Sequence, residues 1–435
     1  MPLLRVLGAS FALAVSVGAT IGAGILRTPG EVALHLPHAG LFLLAWILGG
    51  VNALLGSTIF SELGTMMPRS GGQYVFVRRG LGRLPGFLSG YADWVNQCAS
   101  LAAIALLVGE YLPVLLPATA GRGTLVAVAV LGALAAIQWK GVRSAGAAQQ
   151  VTTALKALAL VTLAVLALVV LPAPAPAAEF RATAPALVLG FAVAMQGVIF
   201  TYDAYYWMVY YGEEIENPGR AIPRAMFQGV AAIIGIYLLL NVAVLRGIPM
   251  AELAGEPFAG GALAARLFGT TGDAVIRAIM IVSLVGALNA FMMSAPRVLL
   301  AMATDGLFSG RALAVNRGGT PTAGLLLSLL VTGLFLLSGT FTRVLAAIAV
   351  IIVVNYVLVY VAFFVLRRRE PDAPRPYRAW GYPWVQGVAL AIAVAFLGGV
   401  AIGDPRGTLM AAAALAVGVV AYAVTTRSGR QSTSS

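Results

Sequence analysis

Apolar residues fill this chain in stretches of about 20 or more, each ended by a short run of arginine, glycine, proline or acidic residues. A helix rising about 1.5 Å per residue crosses a hydrocarbon core of ~30 Å in about 20 residues, so each stretch is long enough to span a bilayer. Twelve spans are predicted: 9–34, 39–66, 82–112, 123–139, 148–171, 185–211, 225–246, 272–302, 322–340, 343–366, 384–402 and 407–425. The pattern predicts an all-α integral membrane protein, with residues 1–435 as a single transmembrane domain. The stretch LPAPAPAAEF (171–180) is expected to form an extended outer loop.

Two spans interrupt the pattern. Span 1 carries SVGATIGAGILRTPG, Ser16–Gly30, which sets Gly18, Gly22 and Gly24 at its centre. Each interior glycine weakens a helix by roughly 1 kcal/mol. Span 6 carries FTYDAYYW, Phe200–Trp207, polar and aromatic where aliphatic residues are expected. Interrupted spans at matching places in two five-span halves point to an inverted repeat with a site at the membrane midplane. The halves fall at about 9–171 and 185–366, and spans 384–402 and 407–425 are additions. The interruptions alone carry this grouping, since no residue-level repeat is visible. A second reading of the glycines stays open, because the Gly18–Gly22 spacing also suits close packing of an intact helix.

Composition agrees with a membrane protein: 60% of residues are apolar and 10% charged, with mean hydropathy +0.92. The net charge of +12 would suggest nucleic acid in a soluble chain. Here the cations lie between apolar stretches, so the expected partner is the lipid bilayer and not nucleic acid. With the N-terminus in the cytoplasm, 19 of the 28 Lys and Arg residues fall on the cytoplasmic side and eight on the other. That excess places both termini inside, in a multi-pass protein of the cell membrane. Arg5 before an apolar stretch imitates a secretory signal, but the run continues to about Leu34 and is read as a retained span. Cys98 is the single cysteine, and His35 and His38 are read as loop residues and not metal ligands. No cofactor is expected. The chain has no phosphate-binding G-x-x-x-x-G-K-[ST] run and no constellation for intramembrane enzyme chemistry.

A broken span must line a cavity or be buried, because an unpaired peptide group in lipid costs several kcal/mol. Unwinding at Gly22 and Gly24 would free N–H groups at the start of an outer half-helix, where they suit a carboxylate. Carbonyls near Thr20 and Ile21 would face the same gap and suit an ammonium, so one break can hold both ends of a zwitterion. In span 6, seven of residues 200–211 are aromatic, and Asp203 is an intramembrane carboxylate of the kind that marks a site or pathway. Lys156 lies within span 5, read as about two turns from its cytoplasmic end. Snorkelling would explain it, while a functional role favours lysine over arginine because an ammonium sheds its proton when desolvated.

Three segments together resemble a family: GAGILRTPG, ELGTMMPRSGGQYVF (Glu62–Phe76) and FTYDAYYWMVYYGEEIENPGRAIPRA (Phe200–Ala225) are similar to spans 1, 2 and 6 of amino acid–polyamine–organocation (APC) transporters. Span 6 is most like the L-type amino acid transporter branch and its bacterial relatives. The resemblance implies a five-plus-five inverted repeat, LeuT-like, with discontinuous helices 1 and 6 and alternating access. It implies that the amides of Gly22, Ala23 and Gly24 bind the substrate carboxylate. Carbonyls of Thr20, Phe200 and Asp203 would accept from the α-amine, with Ile21, Thr201 and Tyr202 in the same segments. Phe200 would close over substrate. Lys156 would take the place of a sodium ion, bridging spans 1 and 8, which implies sodium-independent transport. The chain departs from the pattern at Ala23 (commonly serine), Ala204 (commonly glycine) and Tyr205 (commonly tryptophan).

The expected function is therefore a permease for amino acids. Exchange, facilitation and proton symport stay open, as do a non-transporting sensor with this fold and a permease for a polyamine or similar amine. Asp203 is read as a brace for the broken helix or as a source of preference for cationic side chains. Glu62, Arg69 and Asp93 are read as structurally paired or solvated, Glu213 and Glu214 as structural, and Asn217–Gly219 as the stop of span 6. Asn289, Ser294 and Asn355 either reach the cavity or join helices. Relatives of the L-type branch pair with a single-pass glycoprotein through an outer-loop cysteine, whereas Cys98 falls inside span 3, so no disulfide-linked partner is expected.

Overall fold

The structure is a computed structural model that describes residues 3–172, 184–338 and 341–431. Within them the chain is helical, with helices α1 (Ala9–Thr20), α2 (Gly24–His35), α3 (Ala39–Met66), α4 (Gln73–Leu81), α5 (Arg83–Leu115), α6 (Gly123–Lys140), α7 (Val142–Val170) and α8 (Ala184–Thr201). The chain continues with α9 (Pro218–Gly247), α10 (Met250–Leu253), α11 (Ala259–Phe268), α12 (Gly272–Thr304), α13 (Thr322–Ser338), α14 (Phe341–Arg369), α15 (Trp384–Gly403) and α16 (Pro405–Gln431). Among the described residues nine helices are long and apolar enough to cross a membrane, and α1 with α2 form a tenth span bent by 43° at its break. The two other predicted spans carry shorter apolar helices, Leu187–Thr201 and Thr322–Leu337. Most of the loop predicted at 171–180 lies outside the described residues.

α1 packs between α7 and α9, α3 runs along α9, and α12 runs along α5, while α2 lies against α8. These pairings bring the ends of α1 and α8 together in the middle of the bundle. Solvation by lipid removes much of the hydrophobic drive for helix association, so polar bonds between helices carry part of the burden. Asn289 of α12 shows this, donating to the Ala145 carbonyl and to Gln149 Oε1, both at 3.0 Å, and accepting from Gln138 at 2.9 Å. Ser294 donates to Gln97 Oε1 of α5 at 2.6 Å. Both residues join helices. Cys98 is buried in α5.

One end of the bundle is closed by charge pairs. Arg297 of α12 meets Glu214 with two bonds of 2.7 and 2.8 Å, and both side chains are almost fully buried. Arg297 is thus a buried structural cation. Glu62 at the end of α3 is buried and accepts from Arg375 at 3.0 Å, from Arg367 and from the Ala379 amide at 2.7 Å. Arg69 pairs with Asp305 at 3.1 Å. The N-terminal segment joins this end, since the amides of Val6 and Leu7 donate to the Glu214 carbonyl and Glu216 donates back to Leu7.

The run GEEIENPGR, read as the stop of span 6, instead starts the next helix. α8 has already ended at Thr201, and Asn217 takes a left-handed conformation (φ 49°) with Pro218 as the first residue of α9. Proline fits that position because the first helical N–H needs no intrahelical partner. His38 is the other terminal signal, its Nδ1 accepting from the Gly40 amide at 3.1 Å to cap α3.

Candidate functional site

The first break lies where the glycines stand. α1 ends at Thr20, and Ile21 is extended at ψ 96° with its amide still bonded to the Val17 carbonyl at 2.9 Å. α2 begins at Gly24. Among the described residues the amides of Gly22, Ala23 and Gly24 have no acceptor. They form the N-terminal end of α2, where the helix dipole adds to their positive character.

The three glycines serve different ends. A Cβ at Gly18 would lie 2.1 Å from Thr153 Oγ1 and 2.6 Å from Gln149 Nε2, so this glycine admits α7. A Cβ at Gly24 would lie 3.1 Å from Thr201 Oγ1 at the end of α8. At Gly22 the nearest atom would be 4.0 Å away, in open space. Close packing and helix breaking are both present, at different residues.

Lys156 is fully buried and donates to the Gly18 carbonyl and, at 2.7 Å, to the Ile21 carbonyl. Ser283 of α12 donates to the same Ile21 oxygen at 3.0 Å. α7 begins at Val142, so Lys156 lies about 21 Å along it and not two turns from its end. At that depth, with its ammonium bonded to α1, it does not snorkel. The Ile21 carbonyl, expected to face an ammonium in the gap, is instead occupied by α7 and α12.

The second break differs from its prediction. The span expected to reach 211 leaves the α-helix at Thr201, passes through turns over 202–206 and makes a short 3-10 helix, Trp207–Tyr210. Ala204 sits at φ 73°, the left-handed region that favours glycine. Tyr356 of α14 donates to the Asp203 carboxylate, and the Asp203 amide donates to the Phe200 carbonyl at 3.2 Å. The Tyr237 hydroxyl of α9 lies 3.0 Å from the Thr20 carbonyl and 2.9 Å from that of Thr201. Its single proton ties the ends of α1 and α8 to one point. Tyr202 turns away from the gap, donating to the Trp46 carbonyl at 3.0 Å.

A cavity of about 200 Å³ lies between the two breaks. That is smaller than the roughly 300–1,000 Å³ of pockets for drug-sized ligands and suits a small solute. Of the residues singled out in the sequence, Thr20, Gly22, Gly24, Phe200, Thr201 and Asp203 line it. Ile21, Ala23, Tyr202 and Lys156 do not. Residues outside those two segments complete the wall: Gln73 of α4, Asp93, Asn96 and Ser100 of α5, Phe291 of α12 and Asn355 of α14. Asp93 was read as structural or solvated, yet it faces the cavity and accepts from Tyr210 at 2.8 Å. The argument applied to Asp203, that a carboxylate inside a span marks a site, identifies it equally.

Helices long and apolar enough to cross a bilayer, two of them ended in mid-bundle around a small polar cavity, are the layout of a membrane transporter. Residues 7–422 match the amino acid permease family, and the chain belongs to that family, within the APC superfamily and near its L-type branch. It is 28% identical to the serine/threonine exchanger SteT of Bacillus subtilis over 92% of each chain. It is also 28% identical to the large neutral amino acids transporter small subunit 2 of Mus musculus, over 90% of this chain and 79% of that one. Identity to the Asc-type amino acid transporter 1 of Mus musculus is 29%, over 86% of this chain and 73% of the other.

Proposed function

We propose that this permease moves small α-amino acids across the cytoplasmic membrane by alternating access around the cavity between α1–α2 and α8. The unsatisfied amides of Gly22, Ala23 and Gly24 carry the reading, because free, half-buried donors at a helix N-terminus favour an anionic partner and a carboxylate supplies one. With Ala23 in place of a serine, main-chain N–H groups hold that carboxylate. The α-ammonium is assigned to the carbonyls of Thr20, Phe200 and Asp203; that of Asp203 has no donor among the described residues. Phe200 lies in the cavity wall and against Phe396, positioned to cover the substrate.

Lys156 holds α1 at its break by bonding the carbonyls of Gly18 and Ile21, which supports sodium-independent transport. The five-plus-five repeat, residues about 9–171 and 185–366, fits the two mid-bundle breaks, and the positive-inside excess supports both termini in the cytoplasm. The end closed by Glu214–Arg297 and Glu62–Arg375 is then the cytoplasmic one, so the cavity is shut from inside. The similarity to SteT favours exchange as the mode. Uptake of labelled amino acids into proteoliposomes tests this. Flux that needs internal amino acid and ignores a sodium gradient is expected; binding without flux would overturn transport, and dependence on sodium would overturn the role of Lys156.

A further inference from the structure

We propose that the preferred substrate carries a second cationic group on a short side chain, and that Asp93 receives it; this rests on the amino acid reading above. The lining of the cavity contains two carboxylates, Asp93 and Asp203, and no lysine, arginine or histidine among the described residues. The buried Lys156 and Arg297 are committed elsewhere, Lys156 to the carbonyls of α1 and Arg297 to Glu214. Asp203 lies at the second break and accepts from Tyr356. Asp93 lines the cavity from α5, on the same helical face as Asn96 and Ser100. One of its oxygens accepts from Tyr210 at 2.8 Å, and the Gln97 side chain one turn along α5 is its other polar neighbour.

Gln73, also almost fully buried and lining the same cavity, has a side-chain oxygen with no donor among the described residues. Gln73 Oε1 is thus an unmet acceptor, and Asp93 is met by neutral groups alone. The Tyr210 hydroxyl and the Gln97 amide bring Asp93 no charge, whereas a buried carboxylate is normally held by a cation. A zwitterionic amino acid uses both of its own charges at the breaks and leaves Asp93 unpaired. A side-chain ammonium would pair with it and donate to Gln73, and a cavity of about 200 Å³ limits the connecting chain to a few carbons. A side-chain carboxylate would meet like charge and be rejected.

The test uses the full chain in proteoliposomes and three probes of similar size: 2,4-diaminobutyrate, homoserine and aspartate. Diaminobutyrate is expected to compete for uptake at about tenfold lower concentration than homoserine, with aspartate without effect, since pairing a desolvated charge is commonly worth a decade or more. Asp93→Asn is expected to bring the two potencies together, and Asp93→Glu to keep the order. Equal or better competition by homoserine in the wild type would overturn the proposal without any variant being needed. Homoserine uptake accompanied by a proton would also overturn it, because Asp93 would then serve as a proton site. If none of the three binds or competes, the amino acid reading itself fails.

Discussion

Gly18, in the last turn of α1, and Gly22, in the break that follows it, lie four residues apart, and replacing each with alanine is expected to fail in opposite ways. At Gly18 the new methyl would sit 2.1 Å from Thr153 Oγ1 and 2.6 Å from Gln149 Nε2, so α7 must retreat or the Thr153 bond to the Ala14 carbonyl must break. Overpacking of that kind costs about 1–3 kcal/mol and moves the helix that carries Lys156. At Gly22 the methyl meets nothing within 4.0 Å, and its backbone is one that alanine adopts, so stability is unchanged or rises by a few tenths of a kcal/mol. That methyl projects beside the free amides, however, and removing one charge-assisted hydrogen bond to a carboxylate costs about 1.5–3 kcal/mol, or ~10–100-fold in affinity. Thermal unfolding in detergent, followed by substrate titration of uptake in proteoliposomes, separates the two. Gly18→Ala is expected to lower the unfolding temperature, and Gly22→Ala to raise the half-saturating concentration at an unchanged one. Loss of stability in Gly22→Ala matching that of Gly18→Ala, or wild-type affinity in Gly22→Ala, would refute the reasoning.

Further outcomes follow from the same geometry. Lys156→Met leaves the Gly18 carbonyl without its ammonium and is expected to slow uptake at least tenfold while protein still reaches the membrane, as read by surface labelling and initial rates. Ala204→Gly relieves a left-handed alanine and is expected to raise the unfolding temperature, since the strain is worth about 1–2 kcal/mol and the added chain entropy offsets only part of it. Arg297→Met alone strands buried Glu214 and is expected to cost about 3–5 kcal/mol, whereas Arg297→Met with Glu214→Leu is expected to cost less, so a double-mutant cycle by thermal unfolding checks the pairing.

Ten of the twelve predicted spans, the bent one included, were legible among the described residues because lipid imposes one rule, length of apolar run, on every segment. The observed ends of α3, α6 and α15 lie within a residue of their predicted ones. The first break was legible for a related reason, since glycines at Gly22 and Gly24 violate helix preference where nothing else compensates. The second break was misjudged in form. Its aromatic residues were expected to continue a span, yet they fold into turns that pack against other helices, as Tyr206 stacks on Phe60 at 4.3 Å. The rest of the site came from pairings that linear sequence hides. Gln73, Asn96 and Phe291 are unremarkable in their own segments and become wall residues only because α4, α5 and α12 converge. Tyr237 joins the two breaks from α9, a helix whose sequence holds no interruption at that point. Lys156 was singled out by its rarity, but its depth was missed because α7 starts six residues before the apolar run predicted for it.

The account turns on what the free amides of Gly22, Ala23 and Gly24 bind. A structure of the full chain in a lipid nanodisc with bound 2,4-diaminobutyrate or homoserine measures this directly. The substrate carboxylate is expected within about 3.2 Å of those main-chain nitrogens, with the α-ammonium toward the carbonyls of Thr20, Phe200 and Asp203. A carboxylate held by side chains elsewhere, or a ligand in the cavity with those amides still unpartnered, would contradict it.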